Sequence, residues 1–183
     1  MKTIYILLIL FSFASCICKK DTTNSSESKD SIQTKTVYKP MNSACPENGK
    51  CTVEIFRNKS LDVKVDEFGS IYYNQIDNLE TSIIVYSYNK NVPKNLQDAN
   101  YREDIVFEIQ NTDKKLFLQN QDLQKTKMLY GRFCFCRGQT GNYKIIDGSL
   151  NLTQNNNQVQ FDLEFKNNKV PQLLSTISEI VKF

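Results

Sequence analysis

Six cysteines and no histidine among 183 residues decide which chemistry this chain can attempt. Without an imidazole there is no Ser-His-Asp or Cys-His activation of a nucleophile and no histidine metal ligand. No side chain titrates near neutrality unless its surroundings move it. Cysteine is left, in three places: Cys16 and Cys18 near the start, Cys45 and Cys51 in CPENGKC, and Cys134 and Cys136 in GRFCFCRGQTG. The last four admit structural disulfides, a four-thiolate zinc site or a redox pair. Their C-x5-C and C-x-C spacings are not the C-x2-C knuckles of zinc sites, and the phenylalanines around Cys134 and Cys136 argue for burial rather than a reactive thiol. Disulfides are therefore the preferred reading, with three connectivities open. In an extended strand, side chains two residues apart lie about 6.5 to 7 Å from each other, beyond the ~3.8 Å between Cβ atoms that a disulfide takes. That favours the cross-strand pairings, which staple the CPENGKC turn to the 128–137 segment, over the local form in which Cys45 joins Cys51.

The remaining chemistry-bearing residues have plainer readings. Glu103 and Asp104, with the acids of the last hairpin, could supply the carboxylate pair of a glycoside hydrolase, which needs a separation of about 5 to 10 Å across a cleft. Alternating acids on a wet strand face look the same. Asp62, Asp66 and Glu67 have Lys64 among them and no EF-hand spacing, so a solvated face is expected, not a calcium site. GQTG at 138–141 lacks the Gly-Lys-Ser/Thr ending of a phosphate loop and reads as a turn. Tyr72, Tyr73, Tyr86 and Tyr88 read as packing groups before they read as a stacking platform. The sequence implies no metal and no cofactor. A net charge of +3, with lysines scattered among acids, gives no electrostatic footprint for nucleic acid.

The chain begins MKTIYILLILFSFASC: a lysine, an apolar run of about ten residues, then Ala14-Ser15 before Cys16. This run is shorter than the roughly 20 apolar residues that span a bilayer. Phe13 to Cys16, FASC, resembles the lipobox of bacterial lipoproteins, with Phe13 where leucine is usual. The resemblance implies cleavage after residue 15, a diacylglyceryl group and palmitate-class acyl chains on Cys16, and a soluble domain held to a membrane without a spanning helix. Residues 19–44, KKDTTNSSESKDSIQTKTVYKPMNSA, hold almost no large apolar groups and predict a flexible spacer of roughly 25 to 30 Å reach. Within it Asp21-Thr22-Thr23 and Asp30-Ser31-Ile32 resemble the acceptor tripeptide of Bacteroidota O-glycosylation, which would make Thr22 and Ser31 the modified residues. YREDIVFEI and GRFCFCRGQTG resemble segments of small uncharacterised lipoproteins of Flavobacteria-type organisms, a likeness that implies an envelope address, outer membrane before inner, and brings no known activity, catalytic residue or ligand with it.

The elements that must position these residues are strands. Residues 52–57 and 61–65 alternate, with Asn58-Lys59 between them as a hairpin turn; 83–88, IIVYSY, is apolar on both faces and suits a central strand; 104–110 alternates again. Met128 to Arg137 reads as one strand with Phe133 and Phe135 in the core. Leu150 and Leu152 precede a turn at Asn155-Asn156-Asn157, and Val159, Phe161, Leu163 and Phe165 follow it at period two. Leu173, Leu174, Ile177, Ile180 and Val181 fall at helical spacing after Pro171, predicting a short C-terminal helix. The expected organisation is a signal peptide at 1–15, a lipidated N-terminus and tether at 16–44, and a mainly β domain at 45–183, an antiparallel β-sandwich or small barrel closed by that helix. The expected function is binding or structural support in the cell envelope, with an envelope protein or glycan as partner and the membrane engaged through lipid. An envelope enzyme using carboxylates or cysteines, and a carrier of a hydrophobic ligand, are the alternatives.

Overall fold

The computed structural model describes residues 45–182 apart from 94 and 97, together with the backbone of Lys35–Tyr38. The stretch expected to be a signal peptide, 1–15, and the expected modification sites Cys16, Thr22 and Ser31 lie outside the described residues. The described chain is mainly β. One sheet holds six strands: β1 (Lys35–Tyr38), β2 (Gly49–Val65), β3 (Ile71–Lys90), β4 (Tyr101–Gln110), β6 (Leu129–Cys134) and β7 (Gly141–Lys144), neighbours in that order. A second sheet has the order β10, β9, β8, β5, from β5 (Lys115–Gln119), β8 (Gly148–Asn155), β9 (Gln158–Phe165) and β10 (Thr176–Lys182). Every pairing is antiparallel. The first sheet reaches back to Lys35, so paired backbone begins inside the stretch expected to be tether.

Period-two burial explains how the sheets meet. Val53 and Ile55 of β2, Ile84, Tyr86 and Tyr88 of β3, and Ile105, Phe107 and Ile109 of β4 face Leu150, Leu152, Phe161 and Leu163 of the other sheet in one core. Tyr86 and Tyr88 are thus packing groups, the plainer of the two readings given above. The opposite face of the six-stranded sheet is also apolar at Ile83, Val85 and Val106, and it too is covered. β2 and β3 are long enough to bend back over it, bringing Leu61 onto that face. A pairing of Ile71 with Asn142 then joins β3 to β7 and closes β3, β4, β6 and β7 into a four-stranded barrel.

The bend occupies the position expected to be a hairpin turn. Asn58 has φ 57°, the left-handed region that asparagine tolerates, but it lies inside a continuous β2 where the pairing with β3 is irregular, the register shifting between Arg57 and Lys59. The two runs form one bent strand, and the hairpin turn comes later, at 66–70. Buried Glu108 pins the bend. It accepts from Ser60 Oγ at 2.8 Å and Leu61 N at 2.7 Å, and pairs with Lys127 Nζ at 2.9 Å.

The C-terminal helix is not there. Residues 176–182 form β10, which pairs along its whole length with β9. Ile177, Glu179 and Val181 are buried while Thr176 and Lys182 are exposed, so the true period is two. An inward Glu179 breaks the apolar alternation on paper, and the remaining apolar residues then fall at helical spacing by coincidence. The free edge of β9 and the β-branched composition of TISEIV decide in favour of a strand.

Candidate functional site

Where the first sheet ends, four strand termini converge: the start of β2, the end of β3, the start of β4 and the end of β6. The register sets two side-chain rows across them. Cys51, Tyr88, Glu103 and Arg132 form one, and Lys50, Asn89, Arg102 and Phe133 form the other. Adjacent rows point to opposite faces.

The first row points into the core and carries charge. Glu103 is 0 % exposed. It accepts from the backbone N–H groups of Leu173 and Leu174, each at 2.7 Å, and from the Tyr101 hydroxyl, so it anchors the segment leading into β10. Burial first, then the hydrogen bond to the Glu103 carboxylate, pushes Tyr101 up to about 12. The same causes, burial and then the Glu103 charge, raise Tyr130. Arg132, opposite Glu103, is 8 % exposed; it donates to Gln139 Oε1 at 2.5 Å, lies 5.4 Å from the Tyr101 ring centroid, and keeps its Nε without a hydrogen-bond partner.

The other face carries Arg102, whose guanidinium sits 4.4 Å from the Phe133 ring centroid while its Nε pairs with Asp104 at 3.1 Å. Burial raises the Asp104 carboxyl above the usual range, against the pull of Ser87 and Arg102. Glu103 and Asp104 are adjacent in a strand and so point to opposite sides of the sheet, while Asp162 and Glu164 lie on the exposed side of β9. These carboxylates do not face one another across a cleft, and glycosidase geometry is not assembled.

A groove of about 510 Å³ opens at this end, lined in part by Asn89, Lys90, Asn100, Arg102, Phe133 and Cys134. The cysteines expected as cross-strand staples pair locally instead: Cys45 with Cys51, Cα atoms 5.8 Å apart, and Cys134 with Cys136, Cα atoms 5.2 Å apart. The distance objection to the second pair fails because β6 stops at Cys134 and the chain bends at Phe135, so the two residues are not in extended geometry. The same bend turns Phe135 out of the expected core, to 82 % exposure. Cys51 belongs to the core, Cys45 packs against it, and Cys134 and Cys136 are half-buried at the rim. Among the described residues no cluster of three or more His, Cys, Asp or Glu is placed to hold a metal, and no helix is long and apolar enough to cross a membrane.

The row Cys51–Tyr88–Glu103–Arg132 escapes sequence reasoning because it depends on the register of four strands; the pairing of a charged residue in β4 with one in β6 was its only trace. Comparison with protein-family models, curated proteins and solved structures returned no match.

Proposed function

We propose that the chain is an exported, lipid-anchored binding module of the cell envelope, which meets a partner protein at the groove beside Cys134. The observation that carries this reading is the pair of closed disulfides in one small domain, a state that persists in an oxidising compartment and not in a reducing cytoplasm. The MKTIYILLILFSFASC stretch supplies the address that such an export needs, with Cys16 as the acylated residue and the 16–44 segment as tether. Surface binding is favoured over carriage of a ligand in the barrel, because Leu61, Ile83, Val85 and Val106 pack together beneath the bent ribbon. A protein partner is favoured over a glycan: one face of Phe133 is taken by Arg102 and one face of Tyr101 by Arg132, the surfaces on which a sugar ring would stack.

Intact mass spectrometry of the native protein, with and without reduction and alkylation, tests the reading. The expected mass carries acyl chains on Cys16 and two disulfides, and Cys16→Ser releases the protein from membranes. An unacylated product that stays soluble overturns the anchor; Cys45 and Cys51 recovered as free thiols overturn export.

A further inference from the structure

The two disulfides are not equivalent. A cross-link stabilises a fold by restricting chain that would otherwise be free. Cys134 and Cys136 are only two residues apart, and the hairpin that contains them is closed without them. Arg132 pairs with Gly141 in the β6–β7 ladder, Thr140 Oγ1 donates to Arg132 O at 3.1 Å, Arg132 donates to Gln139 Oε1, and Gln139 N donates to Cys136 O at 3.1 Å. None of these bonds involves either sulfur. The bond is also accessible. Cys134 forms part of the groove wall, and Phe135, between the two sulfurs in sequence, is exposed. Positive charge flanks the loop in exposed Arg137, beside Cys136; Arg132, two residues before Cys134 on the same strand face, stands opposite the Glu103 carboxylate. A nearby cation favours thiolate over thiol, and thiolates are the attacking and leaving species of disulfide exchange.

We propose that Cys134–Cys136 is an exchangeable disulfide that accepts two electrons from a dithiol in a protein bound at this groove, with Cys134 as the sulfur attacked. The inference rests on the groove as docking surface, but not on the lipid anchor. The partner's thiolate attacks Cys134 Sγ; the Sγ–Sγ bond breaks, a mixed disulfide forms, and the electron pair leaves on Cys136 Sγ, which takes a proton. The partner's second thiol, losing its proton, attacks its own sulfur in the mixed disulfide. Cys134 departs as thiolate and is protonated. The partner leaves with one new disulfide, and this protein holds two thiols. The reverse exchange with a second disulfide, protein or small molecule, restores the pair and reduces that donor.

The full chain, purified from whichever fraction holds it, membrane or soluble, is equilibrated with mixtures of glutathione and glutathione disulfide, quenched in acid, alkylated and mapped by mass spectrometry. The expected result is Cys134–Cys136 half reduced in mixtures that leave Cys45–Cys51 closed and the circular dichroism unchanged. Single variants test the assigned sulfur. Cys136→Ser, which leaves Cys134, is expected to capture glutathione from its disulfide at least tenfold faster than Cys134→Ser, which leaves Cys136. The proposal is overturned if both disulfides open together, if Cys134–Cys136 survives mixtures that open Cys45–Cys51, or if the two variants capture glutathione equally fast. Cys16→Ser leaves these outcomes unchanged, so failure of the anchor and failure of the exchange are read separately.

Discussion

Cys45–Cys51 and Cys134–Cys136 sit at the same end of the same sheet, yet they are built into the molecule differently. Cys51 lies in the row that runs through Tyr88 and Glu103 into the core, and its loop is further held by Asn48 at φ 60°, by Asn91 N donating to Asn48 O at 2.6 Å, and by the Tyr88 hydroxyl donating to Glu47 O at 3.2 Å. Gly49 in that loop has no room for a side chain, because a Cβ would stand 2.0 Å from the Tyr88 ring. The other disulfide begins at the last residue of β6 and hangs beyond it. Chain entropy alone gives the two loops roughly 2.3 and roughly 1.6 kcal/mol, a difference too small to separate their roles. Packing separates them. What a disulfide does here depends on whether its sulfurs lie inside the core row or past its end.

The largest effect is therefore expected from Cys45→Ser with Cys51→Ser, which loses the cross-link and places a hydroxyl in the core: about 3 kcal/mol by urea unfolding. A loss no greater than that of Cys134→Ser with Cys136→Ser would break the comparison. Next comes Glu103→Gln, in the row between the loops. The amide oxygen can accept from one of the Leu173 and Leu174 N–H groups but not replace the carboxylate for both and Tyr101, and Arg132 loses the negative charge opposite it. We expect a loss of about 2 kcal/mol with faster amide exchange at Leu173 and Leu174; unchanged exchange there would show that Glu103 does not anchor the β10 segment. Smaller again is the Cys134→Ser, Cys136→Ser double variant, expected to lose no more than about 1.5 kcal/mol in the same urea titration.

Those differences also mark what was legible in the sequence. The β8–β9 hairpin was, because Val159, Phe161, Leu163 and Phe165 alternate cleanly after an asparagine turn, and Asn155 does pair with Gln158 across it. β10 was not, because Glu179 occupies an inward position and hides the period. Asn58 announces a left-handed residue, and the same signal serves a hairpin or a bend inside one strand; only the long-range clamp of Glu108 on Ser60 and Leu61 tells them apart. The barrel depends on one pairing, Ile71 with Asn142, which no local pattern encodes. The cysteine connectivity was missed for a related reason: FCFC keeps alternating after the strand has ended, and strand ends are fixed by partners, not by period.

Asp104 offers a test that changes stability little at neutral pH. Its carboxyl, raised by burial, holds a proton in the folded state where the unfolded chain has given it up, so the stability it contributes is present below the ordinary carboxylate value of 3.8 and declines as pH rises through the folded value. Asp104→Asn should remove that decline from the acid limb and leave unfolding at pH 7 within about 1 kcal/mol of the parent, in contrast to Glu103→Gln next to it. An equal loss in both variants would mean that the two faces of the sheet are not electrostatically distinct.

Tyr101 sharpens the comparison most finely, since it is the register partner of Cys134 and a hydrogen-bond donor to Glu103 at once. Its hydroxyl, pushed up to about 12 from 10.0, stays protonated in the folded state between those values while the unfolded chain releases the proton. The associated stability is thus intact below about pH 10 and lost as pH rises through about 12. Near-ultraviolet titration should show several late phenolates, since Tyr73, Tyr88 and Tyr130 are raised as well, and the one that titrates toward about 12 should disappear in Tyr101→Phe. The informative measurement is the same titration after selective reduction of Cys134–Cys136. If the rim disulfide supports nothing behind it, Tyr101 keeps its late ionisation, because burial and Glu103 set it and neither depends on the sulfur bond. A fall toward 10 on reduction would show that the bond holds the Tyr101 pocket closed, and would place both disulfides in one structural role.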